Sequence, residues 1–286
     1  MTDVLTTTAT SVTHSWHPPG GVTTRGTLLV LPGRGEHGGV YERFGRRLAA
    51  DGYAVHTTGP GLEDTPDGVG GALLDAAGPD PVAPLVLVGA DTGALLALRA
   101  AGDPRLPVDG LVLAGIASAE PAVAVPGRTA EPAVSGIVSS GDSAGYRPGD
   151  GPGWQDELGA RTACPVHRQR LCSDPEFVRG ALSAPVGAEL LEPTSLTARA
   201  LPALVLHGDA DPLTPADEAR RRAEGFPRAV VGIVHGGLHD VLNDASHRTV
   251  AAAVVQWLER LRGGAELSPV LTVETDPHHV LGRIPE

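Results

Sequence analysis

Short uninterrupted apolar runs alternate along this chain with segments whose apolar residues recur every three or four positions. Runs of the first kind occupy residues 26–31, 53–57, 84–88, 110–114, 202–207 and 229–234. Apolar runs of this length, bounded by glycine or proline, read as strands buried on both faces. Residues 13–17 read as a weaker first strand. Segments of the second kind predict helices. Val40, Phe44 and Leu48 share a face over residues 40–50, and Val250, Val254, Trp257, Leu258 and Leu261 share one over residues 246–262, ahead of Gly263-Gly264. Residues 215–224 read as a helix with Pro215 in its first turn, and residues 71–77 as a short one. Strands alternating with helices predict an α/β fold: a mostly parallel central sheet with helices on both faces.

The alternation stops between Ala117 and Arg199. Residues 117–153 are rich in Gly, Pro, Ser and Ala, and the remainder predicts helices only near residues 154–158 and 175–182. A long stretch of this kind inside a compact domain reads as an inserted cap or lid. The expected organisation is a core from residues 1–116 and 200–264, a cap from 117–199, and a tail from 265–286. The tail either adds a short strand at 270–273 or stays mobile.

One junction concentrates the chemistry. The run ending at Val88 continues as Gly89-Ala-Asp91-Thr-Gly93 and then as a small, apolar helical segment. Glycines two before and two after the central residue permit a very tight strand-to-helix turn, because neither places a Cβ where the backbones crowd. The apex residue then projects above the sheet, beside the free N–H groups of the helix start. Asp211 and His239 also follow predicted strands, at the strand ends where ligands gather in open α/β sheets. His239 is suited to act as a base near neutral pH, and Asp211 to accept from its second ring nitrogen. Asp209 is the alternative acid, and a capping role for Asp211 at the helix near Pro215 is a structural alternative. Backbone N–H groups of Arg34 and Thr92 are placed to form an oxyanion hole. The Arg34 side chain adds a cation at the mouth, fit to pair with a substrate carboxylate.

Composition narrows the classes. The net charge of −12 argues against a nucleic-acid partner and an anionic membrane surface. All 22 cationic residues are arginine, which together with abundant Ala, Gly and Pro suggests a GC-rich bacterial genome. Residues 1–15 lack the pattern of a signal peptide, and no apolar run reaches the roughly 18 residues of a membrane span. A cytoplasmic protein acting on a small-molecule substrate is therefore expected, with a homodimer left open. Cys164 and Cys172 fit neither a disulfide framework nor a zinc site. No metal and no cofactor are implied; His278-His279 reads as a solvated pair, and His37, His235 and His247 as structural or exposed.

The motifs taken together resemble the α/β-hydrolase superfamily, nearest to its monoacylglycerol lipase and lysophospholipase branch. Pro32-Gly-Arg-Gly-Glu-His-Gly-Gly-Val-Tyr41 is similar to the HGxGEHxxxY segment of that branch. Leu48-Ala-Ala-Asp-Gly-Tyr-Ala-Val55, Leu206-His-Gly-Asp-Ala-Asp211-Pro-Leu-Thr-Pro215 and Gly237-Leu-His239-Asp-Val-Leu-Asn243 are similar to its helix end, acid loop and histidine loop. The resemblance implies the α/β-hydrolase fold and a catalytic triad in the order Asp91, Asp211, His239, with Asp91 at the nucleophile elbow G-x-S-x-G. Departures are informative. Pro32 stands where the branch has its first histidine, Asp91 where it has serine, and the loop after Thr57 lacks the RGHGxS run.

Aspartate at the elbow changes the expected reaction. A carboxylate attacking an ester leaves a mixed anhydride, whereas one attacking saturated carbon leaves an alkyl-enzyme ester that water can hydrolyse. This chemistry resembles that of epoxide hydrolases and haloalkane dehalogenases. Tyr146 and Trp154 in the cap are the candidate substrate-binding donors, and epoxide is expected before halide. The alternatives are a non-covalent acid/base catalyst of hydration, elimination or cyclisation, and a non-catalytic binding protein with this fold.

Overall fold

The computed structural model describes residues 14–58, 66–118, 153–191, 198, 200–264 and 266–271. Seven strands form one sheet: β1 (Ser15–Trp16), β2 (Thr27–Leu31), β3 (Ala54–Thr57), β4 (Leu85–Ala90), β5 (Gly110–Ala114), β6 (Ala203–Gly208) and β7 (Ala229–Val234). Their order is β1-β3-β2-β4-β5-β6-β7. The short β1 pairs antiparallel with β3, and every other pairing is parallel.

Side-chain alternation divides the core into two layers. Leu28 and Val30 of β2, Val86 and Val88 of β4, Val112 of β5 and Leu204 and Leu206 of β6 face one layer. Leu29, Leu31, Leu85, Leu87, Leu111, Leu113 and Val205 face the other. Because the strand period is two, both layers must be apolar, and an uninterrupted Leu/Val run is the result. The α-helices bounded among the described residues are α1 (Glu42–Ala50), α2 (Pro66–Ala77), α3 (Thr92–Ala100), α4 (Gly153–Arg161), α5 (Pro165–Ser173), α6 (Ala188–Leu191), α7 (Ala216–Ala223) and α8 (His247–Arg262). Phe44 and Leu48 of α1 and Val254, Trp257 and Leu258 of α8 fill the first layer. Val69 and Leu73 of α2, Ala94 to Leu98 of α3, and Ala219 and Ala223 of α7 fill the second.

The segment expected to form a cap differs from expectation in its helices. Its second helix is α5 over Pro165–Ser173, and residues 175–180 are irregular. Pro165 opens α5 at its first turn, and Asp174, held extended ahead of Pro175, ends it. Helix α2 starts at Pro66, five residues before the expected start at Gly71. Residues 270 and 271 are not in a strand, and residues 272 and 273 of the expected tail strand lie outside the described residues. No helix among the described residues is long and apolar enough to cross a membrane.

Candidate active site

The elbow is built from strain and close approach. Asp91 lies between β4 and α3 with φ 50° and ψ −121°, a left-handed conformation that L-residues seldom adopt. Holding a non-glycine residue there costs on the order of 1–3 kcal/mol, supplied by the surrounding packing. Two glycines make the turn feasible. A Cβ on Gly89 would strike the backbone of Gly93 and Ala94, and one on Gly93 would strike Leu31 and Pro32 carbonyls. The parallel register then places the ends of β2, β4, β6 and β7 along one edge of the sheet, with β5 between β4 and β6, bringing Arg34, Asp91, Asp211 and His239 together.

His239 bridges the two carboxylates. Its Nδ1 lies 2.8 Å from Asp211 Oδ2, and its Nε2 lies 3.3 Å from Asp91 Oδ1. All three residues are buried. The other Asp211 oxygen accepts from the Leu213 and Thr214 N–H groups at 2.8 and 3.3 Å, so the loop fixes the carboxylate that faces the ring. Asp209 instead pairs with the exposed His235 at 2.8 Å, away from His239.

Arg34 meets Asp91 in a way the sequence did not suggest. Its backbone N–H donates to Asp91 Oδ2 at 2.9 Å, its Nε donates to the same oxygen at 2.8 Å, and its Nη2 donates to Oδ1 at 2.9 Å. The guanidinium is thus a two-pronged fork on the elbow carboxylate. Its Nη1 donates to the carbonyls of Leu182 (3.3 Å) and Ala184 (2.6 Å). The arginine expected at the mouth is folded inward, and the N–H expected to serve an oxyanion is occupied by Asp91 itself. Thr92 opens α3 directly after the elbow.

The charges fix the protonation states. Burial alone would raise the Asp91 carboxyl, yet hydrogen bonds from His239 and Arg34 hold it well below the usual range. Asp211 is likewise lowered against the effect of burial, mainly by the charge of His239. Burial disfavours the charged ring of His239, but the two carboxylates, Asp211 foremost, raise it to about 10. At neutral pH the resting site is therefore carboxylate, imidazolium, carboxylate, with the Arg34 guanidinium beside it.

A small cavity, of the order of one water molecule, opens against Asp91 and His239. Glu36, Tyr41, Asp240 and Asn243 share its wall. Glu36 accepts from the Tyr41 hydroxyl and from the Gly33 N–H at 3.0 Å. Its carboxyl is raised, first by burial and then by the charge of Asp240. Behind it, the fully buried Arg161 pairs with Glu157 at 2.9 Å and Asp240 at 3.4 Å, and donates to the Arg34 carbonyl at 2.6 Å. Glu36, His167 and Asp240 each offer a ligand atom within 4.8 Å of the others. Arg161 already supplies the positive charge among them, 3.9 Å from Glu36, so the donor set is that of an ion-pair network.

Comparison with known proteins agrees with this architecture. The family model described as serine aminopeptidase, S33 matches residues 62–246, more than half of the chain. The chain belongs to this family. It has the α/β-hydrolase fold and is a hydrolase by family. A monoacylglycerol lipase from Paleococcus ferrophilus is similar over 88% of this chain and 99% of its own, with TM-score 0.60 and 20% identity. A monoglyceride lipase variant from Saccharomyces cerevisiae is similar over 87% and 91%, with TM-score 0.57 and 18% identity. An esterase from a Rhodococcus species is similar over 88% and 98%, with TM-score 0.58 and 20% identity. A search of curated proteins found no match.

Of the remaining candidates in this hydrolase, Tyr146 lies outside the described residues, as do His278 and His279. Trp154 lies away from the cavity. It is buried in the first core layer against Phe177, with the Arg179 guanidinium 4.8 Å from its ring, and is not part of the cavity wall. Trp154 thus packs α4 against the core. His37 is buried and pairs with Asp174 at 2.8 Å. Cys164 and Cys172 are free thiols. Glu36, Tyr41, Arg161 and Asp240 were missed as neighbours of the site. Arg161 had left a signal: Trp154, Leu158 and Arg161 fall on one helical face, and an arginine on an apolar face needs buried partners.

Proposed function

We propose that this hydrolase opens small epoxides through an alkyl ester on Asp91, which water then cleaves. The observation that carries the proposal is the placement of His239 between two carboxylates, 2.8 Å from Asp211 and 3.3 Å from Asp91. Asp91 attacks an epoxide carbon; the C–O bond breaks and its electrons go to the ring oxygen. Esterification removes the negative charge of Asp91, and with it part of what keeps His239 protonated. The imidazolium gives up its proton, which balances the new alkoxide as an alcohol. Neutral His239 then takes a proton from water in the cavity, and hydroxide adds to the Asp91 carbonyl carbon. Collapse releases the diol, and the site returns to carboxylate and imidazolium. Halide displacement creates no alkoxide, so the proton on His239 would have to leave a buried site for solvent. This proton balance favours epoxide over halide.

The similar structures are lipases and esterases by name, and ester hydrolysis here would require Asp91 to form a mixed anhydride. A second reading, acid/base catalysis without a covalent step, is favoured by one observation: Arg34 and His239 engage both Asp91 oxygens at rest. A single turnover in heavy-oxygen water separates the readings. Label appearing in the peptide that contains Asp91 supports the ester; turnover without label eliminates it.

A further inference from the structure

We infer that the substrate carries a carboxylate, and that this carboxylate takes Asp91's place on the Arg34 fork. The inference rests on the covalent reading of Asp91 and deepens it. In the resting site both prongs of Arg34 hold Asp91, at 2.8 and 2.9 Å. An Asp91 used as a nucleophile must free an oxygen, and as an ester it has no charge left to pair with. The Arg34 side chain is only 17% exposed, so it would then be a mostly buried cation without a counter-charge. A substrate anion removes that difficulty at both stages.

The fork is positioned to receive such an anion. Nη1 is anchored on the Leu182 and Ala184 carbonyls, so the guanidinium plane is not held by Asp91 alone. Planar bidentate geometry suits a carboxylate, and neutral groups cannot match its charge. Asp91 keeps two partners after the exchange, the Arg34 backbone N–H and His239. The same exchange gates the reaction. An uncharged epoxide finds the nucleophile clamped, and an epoxide bearing a carboxylate unclamps it by competing for Arg34. The substrate class is therefore a small epoxy-carboxylate, with the acid group close to the ring.

Two measurements test this separately from the reaction itself. Calorimetric titration with propionate, an inert carboxylate, and propionamide, its neutral analogue, reads the anion site alone. Propionate should bind and propionamide should not; Arg34→Met should weaken propionate binding by about a hundredfold and Arg34→Lys by about tenfold. Circular dichroism melts establish that both variants are folded, and Arg34→Lys retains the charge should Arg34→Met fail to fold. Propionate that does not bind, or that binds both variants as it binds the parent, overturns the inference. In the second measurement, oxirane-2-carboxylate is compared with glycidol in heavy-oxygen water. Turnover of oxirane-2-carboxylate at least about a hundredfold faster in kcat/KM supports the inference. Equal turnover with label in Asp91 overturns the carboxylate assignment and leaves the Asp91 ester standing. Arg34-dependent propionate binding with no label from either epoxide leaves the anion site standing and removes the ester.

Discussion

Asp91 and Arg161 are both buried among opposite charges, and neighbouring residues of the same two loops serve them. The Arg34 side chain turns to Asp91, whereas the Arg34 carbonyl and the Glu36 side chain turn to Arg161. His239 turns to Asp91, and Asp240 to Arg161. Their settings differ. Arg161 ends an unstrained helix, with Glu157 one turn behind and the Phe177 ring 4.9 Å from its guanidinium carbon. Asp91 sits at a positive φ, on a cavity wall, with its charge matched by groups that can move or lose a proton. A buried ion cluster alone therefore says little about chemistry. Backbone strain, an open wall and a titratable partner separate a candidate reaction centre from a clasp that fastens α4 to the strand-end loops.

The comparison breaks most sharply at Asp91 itself. Asp91→Asn keeps the shape and the Cβ, so the backbone strain at this position is the same as in the parent. Turnover of an epoxy-carboxylate should fall by roughly 10⁴-fold or more, measured as kcat on the folded variant. Residual activity within tenfold of the parent would make Asp91 another structural ion.

Arg161→Met tests the other cluster. It leaves Glu157 and Asp240 buried without their cation, and stability should fall by about 3–5 kcal/mol in a urea titration. The loss arises from unpaired carboxylates, so it should shrink when Glu157→Gln is added. A variant of full stability with no turnover would move Arg161 from the clasp into the reaction.

Acid and base limbs of stability sharpen the contrast further. His239 is raised from 6.5 to about 10, so its stabilisation is complete below pH 6.5 and is lost as pH rises through about 10. Asp91 and Asp211 are lowered from 3.8; their stabilisation is complete above pH 3.8 and is lost as pH falls through their lower folded values. His239→Gln should therefore flatten stability between pH 6.5 and 10, read from urea titrations across that range. A high-pH limb that survives the substitution would place the relevant proton elsewhere.

Much of this was readable before any coordinates. Apolar runs located the parallel strands because strands buried on both faces admit little else. The glycines around Asp91 marked the elbow because only they fit it. Chain order marked Asp211 and His239, both at strand ends. The inward Arg34 was not readable, since an arginine in a loop has many reachable partners and the strand register selects one. Arg161 required knowing that residues 34, 36 and 240 converge, which is a property of the assembled fold. Trp154 is ambiguous for a related reason: a tryptophan has the same letter whether it faces a substrate or the core.

The smallest expected effect concerns the two carboxylates after β6. Asp209 and Asp211 are two residues apart and equally acidic in sequence, but the turn after the strand sends them opposite ways. Asp209 reaches the surface and pairs with His235, whose side chain is 90% exposed; Asp211 reaches the His239 ring from a buried position. Exposed pairs contribute little because water competes for both partners. Asp209→Asn should therefore leave kcat and the pH dependence of turnover unchanged. Asp211→Asn should lower kcat and bring the His239 proton loss to lower pH, followed by ring proton NMR. If the two substitutions gave the same loss, the orientation of His239 by Asp211 would be wrong, and the proton balance written for Asp91 would fail with it.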